Sequence, residues 1–277
     1  MQLVLSFKKQ SNKDIELLKL VLLNYYKNVN DLEDCYVIGD YNQNEINELN
    51  NILLNLKKQL PPKYKDISFR IINTHLQESL EKQKIKLPKY AIIYYQVIEA
   101  GKYLKQIYGK CDMLHIHTDV IPFEKLNKDD FNKEYKIKNK ELVYNGRGWF
   151  DEIQLNSIKK FEEIYGKKKM YLMEHHYFYH IDDELLEFMK KEEFYLQYNY
   201  SDIITNYFVY EKNIDIDDMI KENLITTTYK NNQKTLEITD NTKAINITLP
   251  ESDFSKKVFK ILKNGKDIKK KLKKLNN

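Results

Sequence analysis

A length of 277 residues suits one large domain, or one domain with appendages, and leaves a full two-domain enzyme crowded. With 46 basic and 41 acidic residues the net charge is a modest +5, so where the charge sits matters more than its total. Two cysteines exclude a disulfide framework, and no uncharged run approaches the roughly 20 residues that cross a bilayer.

In chain order, the apolar run from Leu3 to Phe7 reads as a first strand and stops at Lys8-Lys9, so no signal peptide is expected. Asp14 to Lys27 carries Ile15, Leu18, Leu22 and Tyr25 on one face, predicting a helix that covers a sheet. Cys35-Tyr36-Val37-Ile38 is a second strand ending at Gly39-Asp40. Asn44 caps a predicted helix to about Lys58, and Pro61-Pro62 then breaks the chain. Phe69 to Ile72 is a third strand. Tyr90 to Tyr108 forms the longest helix, with a stripe of Ile93, Val97, Ala100, Leu104 and Ile107 and a stop at Gly109. Met113 to His117 is a fourth strand. This alternation predicts a Rossmann-like α/β fold, a mainly parallel sheet flanked by helices. Ligands of such sheets sit beyond the carboxyl ends of the strands, where Asp40 and Asp119 fall.

After Pro122 the pattern is less regular. A lysine-rich excursion to Lys140 precedes a strand-like Leu142-Val143-Tyr144, a helix from Asp151 to Tyr165 and a strand from Met170 to Met173. From Asn206 onward, Thr-rich and Ile-rich pieces predict short strands or loops. With no repeat and no Gly/Ser linker, residues 1–250 read as one domain and 251–277 as a basic tail. In the tail, Val258, Ile261, Leu262, Ile268, Leu272 and Leu275 recur at helical spacing among lysines, with Gly265 in mid-stripe. Such an amphipathic basic helix packs on the domain, follows the phosphates of DNA, or lies on an anionic membrane; the pattern leaves all three open.

The chemistry-bearing residues cluster. His115, His117, His175, His176 and His180 fall in two groups beyond predicted strands with carboxylates nearby, a metal-site composition. Along a strand His115, His117 and Asp119 share a face, and His117 meets an ion held by Asp119 only at the fraying strand end. His115 reads better as a half-buried structural histidine, while His175 and His180 divide evenly between structure and function. Asp119 and the Glu174/His176 pair are sharper candidates, because a carboxylate taken out of water is costly unless a metal or arginine offsets it. Asn145-Gly146-Arg147-Gly148-Trp149-Phe150-Asp151 holds the only tryptophan, and its glycines permit close ligand approach, so Arg147 and Trp149 are placed with an acceptor. Asp151 is either a general base or the cap of the helix that follows; Glu174 is the alternative base.

The ordered set Leu3-Val4-Leu5-Ser6-Phe7, Asn28, Cys35 to Asp40, His115 to Val120, and Glu174 to Phe178 resembles phage-type and capsule-type glycosyltransferases of the GT-A fold. In those enzymes an apolar strand, N…IxGD, HDDVF and ExHxP follow one another, and the likeness spans about residues 1 to 190. The resemblance implies transfer of a sugar, a hexose first, from a UDP-sugar to a hydroxyl with Mn²⁺ or Mg²⁺. Phe7, Asp40, Lys89 and Thr118 would then meet the donor, Asp40 at the nucleoside and Lys89 at the diphosphate. Asp119, His117 and His176 would face the metal. Thr118 departs from the family by replacing the first acid of its aspartate-any-aspartate motif, and Phe178 replaces a proline. The first departure leaves the ion to Asp119 and His176, with water and diphosphate completing its shell.

Expulsion of a nucleoside diphosphate builds negative charge that a cation stabilises, each close charge pair contributing about 4 kcal/mol at an effective dielectric near 20. The implied acceptor is a hydroxymethylated pyrimidine of phage-type DNA, in the cytoplasm of a host cell, or alternatively a cell-surface glycan or lipid-linked sugar. Two other classes compete. His115-Ile116-His117 imitates the His-x-His of metallohydrolase barrels, although about three strands precede it where such barrels place it on the first. A non-catalytic nucleic-acid-binding protein would use the tyrosine-rich surface and the tail, without needing carboxylates at strand ends.

Overall fold

The computed structural model describes residues 1–76, 82, 89–127, 130–131, 137–139, 152–173, 178–191, 200–215, 224–228, 236–247 and 253–275. Arg147, Trp149, Asp151, Glu174 and His176, and the strand-like 142–144, lie outside the described residues. The architecture is mixed α/β, with a mostly parallel central sheet flanked by helices. Its strands are β1 (Gln2–Ser6), β2 (Cys35–Gly39), β3 (Phe69–Asn73), β4 (Asp112–Ile116) and β8 (Phe178–Asp182), in the order β3-β2-β1-β4-β8. A three-stranded sheet, β5-β10-β9, joins β5 (Val120–Pro122), β10 (Ala244–Asn246) and β9 (Ile225–Thr227). β6 (Ile137–Asn139) pairs antiparallel with β7 (Tyr171–Met173), inside and after the excursion that had no predicted strand before Leu142. By contacts the chain divides into residues 1–72, 116–131 and 222–277 on one hand and 73–115 and 132–221 on the other.

In the first unit β1 and β2 run parallel, with Leu3 opposite Cys35 and Ser6 opposite Ile38. Both faces are covered, since Leu3, Val4, Leu5, Tyr36, Val37 and Ile38 are fully buried, and this is why these strands read as unbroken apolar runs. Helix α1 (Asn12–Asn28) buries Ile15, Leu18, Val21, Leu22, Tyr25 and Tyr26. Helix α2 (Gln43–Lys57) is capped by Asn42, not by Asn44. Asn42 has the extended backbone a cap requires; its Oδ1 accepts from Asn44 N and Glu45 N, and Glu45 Oε2 accepts from Asn42 N at 2.8 Å.

The tail is two helices, α7 (Asp253–Asn264) and α8 (Ile268–Lys274), where one was expected. Gly265 at φ +66 and Asp267 at φ +51 are left-handed, which ends a helix and redirects the chain. Val258, Leu262, Ile268 and Leu272 are buried, so the apolar stripe survives the break. Several tail lysines are held by acids of the same unit: Lys263 by Glu16 at 3.4 Å, Lys269 by Glu124 at 2.9 Å and Lys273 by Asp240 at 3.1 Å.

The second unit holds α3 (Lys89–Tyr108), α4 (Glu152–Tyr165), α5 (Asp183–Lys191) and α6 (Tyr200–Tyr210). A Cβ on Gly101 would come within 2.6 Å of the Leu186 side chain, so glycine permits the close approach of α3 and α5. Ile158, Phe161, Tyr165 and Met170 form an apolar cluster with Ile164 and Tyr210 against it. Asn206, expected to open a region of strands and loops, lies inside α6, where tertiary contacts override its weak helix propensity. Its amide clasps the backbone of Tyr171, accepting from N at 2.9 Å and donating to O at 2.8 Å.

Candidate active site

The carboxyl ends of β1 and β2 are joined by one side chain. Phe7 N donates to Ile38 O at 3.0 Å, continuing the ladder one residue past β1. The Tyr41 hydroxyl then donates to Phe7 O at 2.5 Å and lies 3.2 Å from Ile38 O. Gly39 makes room for it, because a Cβ there would stand 2.6 Å from the tyrosine ring and 2.7 Å from Phe7 O. Burial, then the charges of Glu45 and Asp40, push the Tyr41 phenol far above the usual tyrosine range, so it remains a donor. Phe7 is buried and Asp40 half-buried beside it. Phe7, Gly39, Asp40 and Tyr41 thus form one strand-end cluster. Tyr41 was missed in the sequence, where the only signal was an aromatic directly after Gly39-Asp40.

His117, Thr118 and Asp119 follow β4 in a turn, closed by Val120 N donating to His117 O at 3.3 Å. β4 ends at Ile116, so the expectation that His115, His117 and Asp119 share a strand face is corrected. A turn rotates side chains out of the two-residue alternation on which that expectation depends. His115, still within the strand, is 1% exposed and stacks on Tyr179 with ring centroids 6.1 Å apart. It is a core histidine. His180 has its Nε2 2.8 Å from Asp112 Oδ1.

Asp119 is half-buried, and its backbone is fixed from one side by Ile247 N, which donates to Asp119 O at 2.7 Å. From the other side α1 holds the following strand: Asn28 Nδ2 donates to Pro122 O at 3.0 Å, and Leu126 N to Asn28 O at 2.9 Å. Asn28, part of the motif series, is therefore an anchor of this segment. Tyr25, one turn earlier on α1 and fully buried, has its phenol raised by burial first and by the Asp119 charge second. Among the described residues no basic side chain pairs with the Asp119 carboxylate.

No group of three His, Cys, Asp or Glu side chains suited to a metal occurs among the described residues. The His-x-His pair therefore supplies no three-donor site of the zinc type there. One carboxylate is still compatible with Mg²⁺ or Mn²⁺, which keep waters and take substrate phosphates as ligands. His176, the second protein donor expected, is outside the described residues, as are Glu174, Asp151, Arg147 and Trp149. Lys89 is the first residue of α3, not the residue before it. No described helix is long and apolar enough to cross a membrane.

No protein-family model matches this chain, and no curated protein matches it significantly. Among solved structures it is similar to the galactosyltransferase LgtC in complex with donor and acceptor sugar analogs, at 13% identity over 98% of this chain and 96% of that one, TM-score 0.45. An active-site mutant of LgtC is similar at 12% identity over 95% of each chain, TM-score 0.47. Mouse xyloside xylosyltransferase 1 is similar at 10% identity over 70% of each, TM-score 0.33.

Proposed function

We propose that this protein is a nucleotide-sugar glycosyltransferase that moves a hexose from a UDP-sugar to an acceptor hydroxyl. The observation that carries the reading is Asp119, a half-buried carboxylate beyond the end of β4, with no basic partner among the described residues. Burying a carboxylate without a cation is costly, and a divalent ion is the natural complement. The motif order noted in the sequence supports the same reading, with Asp40 and Phe7 at the ends of β2 and β1 on the nucleoside side.

Asp119 would hold the ion, with His117 beside it and His176 as the further donor. When bound, the ion supplies positive charge to the diphosphate as its bond to the sugar breaks. The protein's own part is to keep Asp119 in register through Ile247 and Asn28, and to present Asp40 with Thr118 to the donor. Lys89 would meet the diphosphate. Arg147 and Trp149 would hold the acceptor, and Asp151 or Glu174 would take its hydroxyl proton.

The acceptor proposed first is a hydroxymethylated pyrimidine in DNA, with a surface glycan or lipid-linked sugar as the alternative. UDP with Mn²⁺ should raise the melting temperature of the wild type and leave Asp119→Ala unchanged. UDP-glucose incubated with plain and hydroxymethylated DNA, digested to nucleosides and weighed, tests the acceptor. An absence of any UDP-dependent stabilisation would overturn the donor reading; no mass gain on either DNA would remove the first acceptor and leave the glycan.

A further inference from the structure

The carbonyls at the carboxyl ends of adjacent parallel strands border the space where ligands of α/β proteins bind. At the ends of β1 and β2 two of these, from Phe7 and Ile38, are covered by the Tyr41 hydroxyl. Ile38 O also accepts from Phe7 N, so both of its lone pairs are used. The chain reaches this arrangement by turning back immediately after Gly39, the one residue whose missing Cβ leaves space for the phenol. Asp40 lies between the glycine and the tyrosine, so its position is set by the same closure. The single hydroxyl proton is shared between main-chain oxygens of different strands, with Phe7 O at 2.5 Å the nearer and Ile38 O at 3.2 Å the farther acceptor, and this ties the two strand ends together.

We propose that Tyr41 is the positioning residue of the donor edge, acting through the Phe7 and Ile38 carbonyls to hold Asp40 and Phe7 where a uridine nucleotide meets them. This rests on the reading of that edge as the nucleoside side of a UDP-sugar site. Tyr41 itself touches no reacting atom. Its removal therefore weakens binding of the donor while the chemical step, remote from the nucleoside, proceeds at its former rate.

The test is calorimetric titration of the full chain with UDP and Mn²⁺, alongside KM and kcat for UDP-glucose hydrolysis or transfer. Tyr41→Phe should bind UDP about tenfold more weakly, the scale of one or two lost hydrogen bonds. KM should rise to match while kcat stays within about twofold, a split that general destabilisation does not produce. Gly39→Ala, whose methyl would stand 2.6 Å from the Tyr41 hydroxyl and 2.7 Å from Phe7 O and so displaces a phenol that is still present, should weaken UDP binding likewise, and it carries the test if Tyr41→Phe does not fold. If the wild type binds UDP and both variants bind it equally well, the positioning role is overturned. If the wild type itself binds no UDP, the donor reading falls and this inference falls with it.

Discussion

Lys243 Nζ lies 2.8 Å from Oδ2 of Asp130, whose side chain is wholly buried. The same carboxylate oxygen accepts from Asn127 N at 2.8 Å. Phe123 N and Glu124 N both donate to the Lys243 carbonyl, so the residue ties the segment after β5 to β10 through backbone and side chain together. Removing the lysine leaves a buried charge without this cation. Lys243→Met should cost about 3 to 5 kcal/mol in urea unfolding, and Lys243→Met/Asp130→Leu should recover a large part of that loss. A single-variant loss under about 1 kcal/mol would mean that the pair is an ordinary surface contact.

Asn206 is fully buried and satisfies both main-chain groups of Tyr171. Asn206→Leu keeps the volume but strands an N–H and a carbonyl, so stability should fall by about 1 to 3 kcal/mol. Amide exchange at Tyr171 should quicken in the same variant. Unchanged exchange there would show that the clasp is not what protects β7.

Burial pushes the Asp112 carboxyl up, but the His180 hydrogen bond, followed by the charges of the amino terminus, His180 and Lys110, outweighs it, and the net direction is downward. A depressed carboxyl contributes stability that is present above its unfolded value, about 3.9, and is lost as pH falls through the folded value. Wild type should therefore lose more stability than Asp112→Asn below about pH 4, measured by urea unfolding across that range. Parallel acid limbs for the two proteins would assign the acid loss to other carboxylates.

Cys35 and Cys111 are both buried, and burial is the first cause that raises each thiol, Cys111 to about 12. The thiolate is the reactive form, so neither should be modified by a thiol reagent at pH 7 in the folded protein. Both should react at once in denaturant. Rapid labelling of one cysteine in native buffer would reveal local opening at that strand.

Much of the first unit was legible in the sequence because its elements obey local rules. β1 and β2 are continuous apolar runs, β3 is apolar at Phe69, Ile71 and Ile72, α1 carries a 3.6-residue stripe, and the structure bounds all four within a residue or two of the expectation. The site was legible only in part. Asp40 and Asp119 could be placed beyond strand ends, and the structure agrees. Tyr41 could not be found, because its role depends on two carbonyls from strands far apart in sequence meeting one phenol.

Periodicity by itself determined the α/β class and the apolar stripe of the tail, since each follows from burial of a regularly spaced apolar face. Tertiary structure alone decided that His115 is fully buried and stacked on Tyr179, that Asn206 is helical and that tail lysines pair with Glu16, Glu124 and Asp240. Those outcomes depend on which distant groups satisfy a buried or charged atom, and hydrogen bonds and ion pairs between segments separated along the chain leave no periodic trace in it.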